Sequence, residues 1–186
     1  YYNRGSAWKH KSDYDRAIAD FNEAISLDPK LALAYNNRGI AWADKGDNDT
    51  AIADFNEAIS LDPKYVFAYN NRGIAWGKKG DYERAIADLN EAIRLDPKDS
   101  AAYYNRGFAW KSKGDNDRAI ADFNETIRLD PKLALAYNNR GLAYEAKNNL
   151  AQALTDFRSF VRLAPNDPDG PKAVSRIEAK IDSLKR

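Results

Sequence analysis

Arginine and asparagine recur at a fixed spacing along this chain, and both residue types bind ligands. The octet YNNRGIAW occupies residues 35–42 and returns unchanged at 69–76, with close variants at 1–8, 103–110 and 137–144. A guanidinium group recognises anions through paired hydrogen bonds, whereas a side-chain amide offers a donor and an acceptor that match one peptide unit. The octets therefore predict anion recognition, peptide recognition or a structural network.

The other polar residues do not predict catalysis. The chain has one His, His10, and no Cys, so neither a nucleophile–base triad nor a His-based or Cys-based metal site is assembled. GKKG at 77–80 lacks the phosphate-loop pattern, and DKGDND at 44–49 lacks the spacing and closing Glu of a calcium loop. We therefore expect no enzyme activity, no cofactor and no metal.

The charge balance argues against two classes of partner. Twenty-nine basic residues face 28 acidic ones, which leaves a net charge of +1 spread along the chain. The positive field that draws proteins to nucleic acid or anionic lipid is therefore missing. No apolar run approaches the roughly 18 residues of a membrane span. We expect no nucleic-acid partner and no membrane partner.

The spacing of Arg and Pro shows that the chain is a repeat array. Both residue types recur every 34 residues, as Arg4, Arg38, Arg72, Arg106 and Arg140, and as Pro29, Pro63, Pro97, Pro131 and Pro165. The units are 1–31, 32–65, 66–99, 100–133 and 134–167, followed by a tail at 168–186. The first unit lacks the three residues that open the others.

Each unit is predicted to be a pair of antiparallel helices. In the unit 32–65, Tyr35, Gly39 and Trp42 fall on one face of a first helix, and apolar residues between 51 and 59 do the same for a second. Gly46 should end the first helix, and Asp47 should cap the second. Because one hairpin cannot bury both of its faces alone, we expect successive hairpins to stack as a solenoid.

The period and its fixed columns resemble those of the tetratricopeptide repeat (TPR) family. In the second unit the resemblance is carried by Gly39, Trp42, Gly46, Ala51, Phe55, Ala58 and Pro63. It covers residues 1–167, although the last unit drifts, with Asn148 in place of the turn glycine. The resemblance implies an all-α fold, a right-handed TPR superhelix, in which helix-turn-helix hairpins stack as an α-solenoid and the first helices line a concave groove.

The tail at 168–186 predicts one more helix. After a Pro and Gly turn, one face carries Val174, Ile177, Ile181 and Leu184. We expect this face to cover the last hairpin as a C-terminal cap, and a partner-binding amphipathic helix is the alternative. The first repeat shows no such cap, which leaves head-to-tail or end-to-end self-association through it as a further expectation.

The Arg column departs from the TPR pattern, which commonly has Leu there. An Asp follows each Arg by 16 residues, and the predicted pairs are Arg4–Asp20, Arg38–Asp54, Arg72–Asp88, Arg106–Asp122 and Arg140–Asp156. We expect partly buried ion pairs that fix register more than they add stability, because desolvation opposes the Coulomb gain. An anion-binding stripe and unpaired, solvated Arg residues are the alternatives.

Asparagine lies opposite the packed face of each first helix, where a TPR groove meets its ligand. One column holds Asn3, Asn37, Asn71, Asn105 and Asn139, and the column before it holds Tyr2, Asn36, Asn70, Tyr104 and Asn138. The first column is similar to the asparagine ladders of peptide-binding TPR and armadillo grooves, which implies that it holds an extended peptide backbone. Alternatively, these amides solvate the groove or cap neighbouring backbone.

Apolar and charged residues surround the asparagines. The apolar ones, which would form sockets, are Leu33, Phe67, Ala101 and Leu135, with Ile40, Ile74, Phe108 and Leu142. The Lys and Arg with which chaperone-tail TPR domains grip a terminal carboxylate are absent from these columns, so we expect no such grip. The charges that do line the groove, and that could set selectivity, are Lys9, His10, Asp44, Lys78, Lys111 and Glu145.

The predicted function is that of a protein–protein interaction scaffold that binds an extended peptide segment in its groove. Two alternatives stay open. One is a self-associating structural solenoid, and the other is a targeting array that belongs to a larger multidomain enzyme.

Overall fold

Helices joined by short turns make up the protein, and the computed structural model describes residues 1–185. The helices are α1 (Tyr2–His10), α2 (Tyr14–Leu27), α3 (Ala32–Asp44), α4 (Asn48–Leu61), α5 (Val66–Lys78), α6 (Tyr82–Leu95), α7 (Ser100–Ser112), α8 (Asn116–Leu129), α9 (Ala134–Ala146), α10 (Leu150–Leu163) and α11 (Asp169–Ser183). The predicted all-α fold is confirmed. Across residues 1–185, no helix has both the length and the apolar character needed to cross a bilayer.

The turn inside each hairpin contains one residue with a left-handed backbone, which is Gly in three hairpins, Ser12 in the first and Asn148 in the last. Gly46 has a φ of 92°, which glycine adopts without a steric penalty. Asp47 then caps α4, because its side chain accepts a hydrogen bond from the Thr50 backbone N–H at 3.0 Å. In the last hairpin Asn148 has a φ of 57°, consistent with the tolerance of Asn for this region.

Close contact between the two helices of a hairpin depends on a second glycine. A Cβ atom at Gly39 would lie 2.7 Å from Cε1 of Phe55, and the Phe55 side chain is fully buried. The same steric conflict, with Phe or Leu of the second helix, would arise at Gly5, Gly73, Gly107 and Gly141. The absent side chain therefore sets the distance between the helices of every hairpin.

The chain divides into two compact units, residues 1–97 and a second unit that begins at Lys98. In the first unit α2 packs on α3 and α4 packs on α5, and in the second unit α8 packs on α9. Small residues make these contacts, since Ala41 joins the cluster around Phe21, and Ala75 joins the cluster around Phe55. Within each unit the second helix of one hairpin thus rests on the first helix of the next.

Helix α11 covers α10 with part of its predicted apolar face. Ala173 and Ile177 are buried in a cluster with Phe157, while Val174 and Ile181 are half-buried. The expectation that Leu184 shares this face was wrong, because its side chain is 71% exposed. Helix α11 ends at Ser183, so Leu184 lies beyond its last turn.

A carboxylate on α9 ties α11 to the last hairpin. Glu145 accepts hydrogen bonds from Arg176 at 2.7 Å and from Lys180 at 2.5 Å. Burial alone would raise the pKa of Glu145, but the hydrogen bonds and positive charges of Arg176 and Lys180 outweigh it and leave this pKa below its usual value.

The glycine contact leads to our first prediction. Gly39→Ala should lower the stability of the protein by about 1–3 kcal/mol, because the new methyl group overpacks the hairpin against Phe55. Gly77→Ala is the matched control, since its Cβ would meet nothing nearer than the Ala85 Cβ at 4.0 Å. Because glycine disfavours helix, this control should gain about 0.5–1 kcal/mol. Urea unfolding followed by circular dichroism measures the free energy of unfolding of both variants. If the two substitutions changed it equally, the steric explanation would be refuted.

The second prediction concerns acid. A lowered pKa of Glu145 means that the carboxylate stabilises docked α11 above the unfolded pKa of about 4.3, and that this stabilisation is lost as pH falls through the lower folded value. Cα chemical shifts of α11 residues, followed by NMR from neutral pH downward, should report a loss of helix in acid.

The substitution Glu145→Gln should weaken the docking of α11 at neutral pH, and it should abolish the acid-dependent change in the α11 chemical shifts. Glu178→Gln is its control, because Glu178 makes a more exposed pair with Arg158 at 2.7 Å between α10 and α11. If Glu178→Gln removed the step as completely as Glu145→Gln, the assignment to Glu145 would be wrong.

Candidate functional site

The Arg and Asp columns meet inside each hairpin. Arg38 donates from Nε and Nη2 to the two carboxylate oxygens of Asp54 at 2.8 and 2.6 Å. Asp54 is buried, at 5% exposure. The same two hydrogen bonds join Arg4 to Asp20, Arg72 to Asp88, Arg106 to Asp122 and Arg140 to Asp156. These pairs link the first helix of a hairpin to its second.

Two further groups hold the guanidinium. Arg38 Nη1 donates to Asn22 of the preceding hairpin at 2.7 Å, and its guanidinium carbon lies 5.4 Å from the ring centroid of Tyr35. Asn56 and Asn124 make the equivalent contacts with the Arg of the following hairpin. Sequence analysis missed this Asn column, although it repeats with the same period. In these repeats a ligand anion would compete with three protein groups.

Hydrogen bonding favours the charged forms of the pairs. The hydrogen bond to Asp54 raises the pKa of the Arg38 guanidinium, and the hydrogen bond from Arg4 lowers the pKa of the Asp20 carboxyl. A raised pKa for Arg and a lowered pKa for Asp are the shifts expected when a charge-assisted hydrogen bond joins the two groups. The charged groups of these pairs thus have partners within the protein, which supports the predicted structural role of the Arg column.

The asparagine column also makes internal contacts. Asn37 donates both of its amide hydrogens, to the Tyr2 hydroxyl at 2.8 Å and to the Leu33 carbonyl at 3.0 Å. Its oxygen accepts from Lys9 Nζ at 2.8 Å. In the second unit Asn139 repeats this set with Tyr104, Leu135 and Lys111, at 3.0, 3.1 and 2.5 Å. These two amides offer a ligand only a remaining oxygen lone pair.

Burial shifts the pKa values of the lysine and tyrosine side chains around Asn37 and Asn139. It lowers the pKa of Lys9, an effect that the nearby Asp44 opposes, and it lowers the pKa of Lys111. It also raises the pKa of Tyr104. The lysine that bridges neighbouring first helices is thus partly withdrawn from water in both units.

Asn71 differs from Asn37 and Asn139. It donates to the Asn36 oxygen at 3.0 Å, and in the described part of the chain its own oxygen accepts no hydrogen bond. Asn36, Asn70 and Asn139 are buried, Asn3 is exposed, and Asn37, Asn71, Asn105 and Asn138 are half-buried. Asn71 thus combines partial exposure with an available acceptor, and so does Asn138 in the second unit.

Large apolar side chains are exposed on the same faces of the first helices. The exposed fractions are 45% for Leu33, 64% for Phe67, and 47% for both Phe108 and Leu135. Tyr2, Ile40, Ile74, Tyr104 and Leu142 are half-buried beside them. We call this surface the groove face, namely the asparagine column with its apolar neighbours on α1, α3 and α5 in one unit, and on α7 and α9 in the other.

One cavity opens on the groove face of the first unit. Its volume is about 150 Å³, and it lies between α3 and α5. Its walls are Ile40, Ala43, Asp44, Phe55, Asn71, Ile74, Ala75 and Lys78. It therefore combines an apolar interior with an amide and two opposite charges. Several of these residues were predicted from the sequence to line the groove, but a cavity was not.

Comparison with known families decides what kind of chain this is. Tetratricopeptide repeat models match residues 1–31 and 134–167, and a TPR repeat model matches 41–80, 78–114 and 111–148. The chain belongs to the tetratricopeptide repeat family. TPR proteins are generally non-catalytic scaffolds for protein–protein interaction.

Solved structures share the fold of this TPR chain. MamA is 29% identical, with a TM-score of 0.79 over 89% of this chain and 96% of MamA. YrrB, described as a TPR protein with an unusual peptide-binding site, is 24% identical, with a TM-score of 0.75 over 93% of this chain and 89% of its own. PilF of Pseudomonas aeruginosa is 18% identical, with a TM-score of 0.81 over 99% of this chain and 90% of its own. These likenesses confirm the predicted TPR solenoid fold. No curated protein sequence matches the chain.

The third prediction tests the Arg–Asp pairs. Asp54→Asn should destabilise the protein by about 1–3 kcal/mol, because it leaves the guanidinium of Arg38 without its buried charge partner. Thermal and urea unfolding measure the change. An unaltered midpoint would contradict a structural role for the pair.

A double variant serves as the control for this prediction. Arg38→Leu combined with Asp54→Leu should recover most of the loss, since replacing both members of a buried pair with apolar residues is often neutral or stabilising. If the double variant were as unstable as Asp54→Asn, poor packing rather than an unpaired charge would be the cause.

Proposed function

We propose that this TPR chain binds an extended peptide segment of a partner protein along its groove face. The observation that carries the proposal is the exposure of large apolar side chains next to side-chain amides. Such a surface suits a ligand that has apolar side chains on a polar backbone.

The apolar exposure is concentrated on this face. Four of the seven large apolar side chains that are exposed in residues 1–185 lie there, namely Leu33, Phe67, Phe108 and Leu135. The other three, Tyr1, Leu27 and Leu184, lie at the ends of helices. Grouped apolar exposure with a polar surround is typical of an interaction surface.

Several polar groups on this face remain available as acceptors. Asn71 has an unused oxygen, and Asn37 and Asn139 each keep an oxygen lone pair after their internal contacts. The backbone N–H groups of an extended peptide are the matching donors. The proposed asparagine ladder therefore accepts hydrogen bonds from N–H groups at these positions, and within residues 1–185 the Asn71 oxygen has no internal partner.

Family membership and one structural neighbour support this proposal. TPR chains are generally interaction scaffolds, and YrrB carries a peptide-binding site by its description. At 24% identity, YrrB supports the proposal by analogy of fold.

The fourth prediction uses a peptide selected from a phage library of random dodecapeptides. Phe67→Ala should weaken binding of the selected peptide by about tenfold, because truncation of an aromatic anchor removes much of the contact energy. Phe67 is 64% exposed, so the thermal midpoint should change little. Fluorescence polarisation measures the affinity.

Leu27→Ala is the matched control, because Leu27 is also exposed, at 68%, but lies at the end of α2. It should leave the affinity unchanged. If the library yields no binding peptide, or if both variants weaken binding alike, the groove face is not the binding surface.

A further inference from the structure

We propose that the cavity between α3 and α5 receives an aliphatic side chain of the bound peptide, flanked by a basic residue at Asp44 and an acidic residue at Lys78. This inference rests on the proposed function, and it specifies the chemistry of the segment that the groove face selects. We call this cavity the α3/α5 socket.

The interior of the socket suits an aliphatic group. Ile40, Ala43, Phe55, Ile74 and Ala75 line it, and its volume is about 150 Å³. An apolar cavity of about 150 Å³ in another protein binds benzene, so a Leu, Ile, Val or Met side chain is of suitable size. Burial of such a side chain would remove its apolar surface, and that of the socket, from water.

The socket exists because the repeat lacks a lysine at one position. Lys9 in α1 and Lys111 in α7 occupy the place that Ala43 occupies in α3. Both lysines reach across to the asparagine of the next first helix, at 2.8 and 2.5 Å. Ala43 has no side chain that could do this, so the space beside Ile40 and Ile74 stays open and the Asn71 oxygen stays available.

A second change in the same repeat has a related effect. Tyr2 and Tyr104 contact Asn37 and Asn139 through their hydroxyl groups, whereas Asn36 takes their place before Asn71. The Asn36 oxygen accepts a hydrogen from Asn71, so it engages the donor side of that amide and leaves the oxygen side for the peptide. A backbone N–H next to the inserted side chain is the natural partner of this oxygen.

Two charges of opposite sign lie across the socket. Asp44 is the last residue of α3, and Lys78 is the last residue of α5. Both are exposed, both line the socket, and no ion pair joins them in the part of the chain that the structure describes. A peptide that crosses from α3 to α5 meets a negative charge and then a positive one, and charge complementarity fixes its flanking residues.

Two larger hollows lack these features. One, of about 350 Å³, lies between α9 and α10, where Arg140 and Asp156 already hold each other. The other, of about 510 Å³, lies among residues 113–117, at the turn before α8 and its first residues, and Lys147, which pairs with Asp117. Neither has a largely apolar interior, so neither matches a side-chain socket.

Selection of random dodecapeptides on phage against the wild-type chain is the first step of the test. The expected consensus is one aliphatic position with Lys or Arg on one side and Asp or Glu on the other. The variant Ala43→Lys then introduces lysine, the residue found at the equivalent positions 9 and 111, and its side chain should fill the socket. This variant should bind the selected peptide about tenfold more weakly than the wild type.

Ala53→Lys is the matched control, since Ala53 is exposed on α4 and the change in charge is the same. It should leave the affinity unchanged, and thermal midpoints of both variants should stay near that of the wild type. A charge exchange, Asp44→Lys with Lys78→Asp, should lower the affinity for the selected peptide. A peptide in which the two flanking charges are also exchanged should bind this double variant with the original affinity.

The outcomes separate the two proposals. If no peptide is enriched, the proposed peptide-binding function fails, and the socket fails with it. If peptides bind, lose affinity with Phe67→Ala, and still bind Ala43→Lys as tightly as the wild type, the α3/α5 socket is refuted while the groove face stands. Selected peptides without an aliphatic position would refute the socket in the same way.

Discussion

The contact between one glycine and one aromatic ring determines the geometry of each hairpin. At Gly39 a side chain would lie 2.7 Å from the ring of Phe55, so the two helices pack at a distance that only glycine allows. At this separation the Arg38 guanidinium reaches both oxygens of Asp54 within 2.8 Å. A shift in the spacing would move a buried charge away from its partner, and that is costly in a site with little water. Packing and electrostatics thus specify the same arrangement.

The polar network extends this geometry from one hairpin to the next. Arg38 contacts Asp54 in its own hairpin and Asn22 in the preceding one, while Ala41 packs against the cluster around Phe21. A ligand anion would have to displace these partners, which explains why a column of Arg need not mark a binding site. The groove face carries different residues and is free to vary, because neither the Gly39 contact nor the Arg network uses it.

Much of the fold and part of the site followed from spacing alone. The period, the hairpins and the turn at Gly46 are local patterns. Each Arg–Asp pair joins the two helices of one hairpin at a fixed spacing of 16 residues, so the sequence contains this pairing directly as well. The link between Asn37, Tyr2 and Lys9 is different, because it joins two neighbouring hairpins and depends on the distance between them. Asn22 was missed for the same reason. The predicted ladder treated every amide as available to a ligand, although internal hydrogen bonds already use some of the amide atoms.

The column that contains Ala43 shows how a regular array acquires a distinct site. Lys9 and Lys111 bridge to asparagine, Ala43 leaves a socket, and Glu145 holds the terminal helix through Arg176 and Lys180. These four positions have the same place in the repeat, so the differences arise from side-chain chemistry and from what the next helix offers. Ala43 lies four residues after Gly39 and packs at the edge of the cluster around Phe55. Lys9 and Lys111 occupy the same place in other hairpins, so the repeat accepts different side chains there. We therefore infer that selectivity in such a chain arises from single departures from a shared pattern, such as the one at Ala43, which leaves an apolar space.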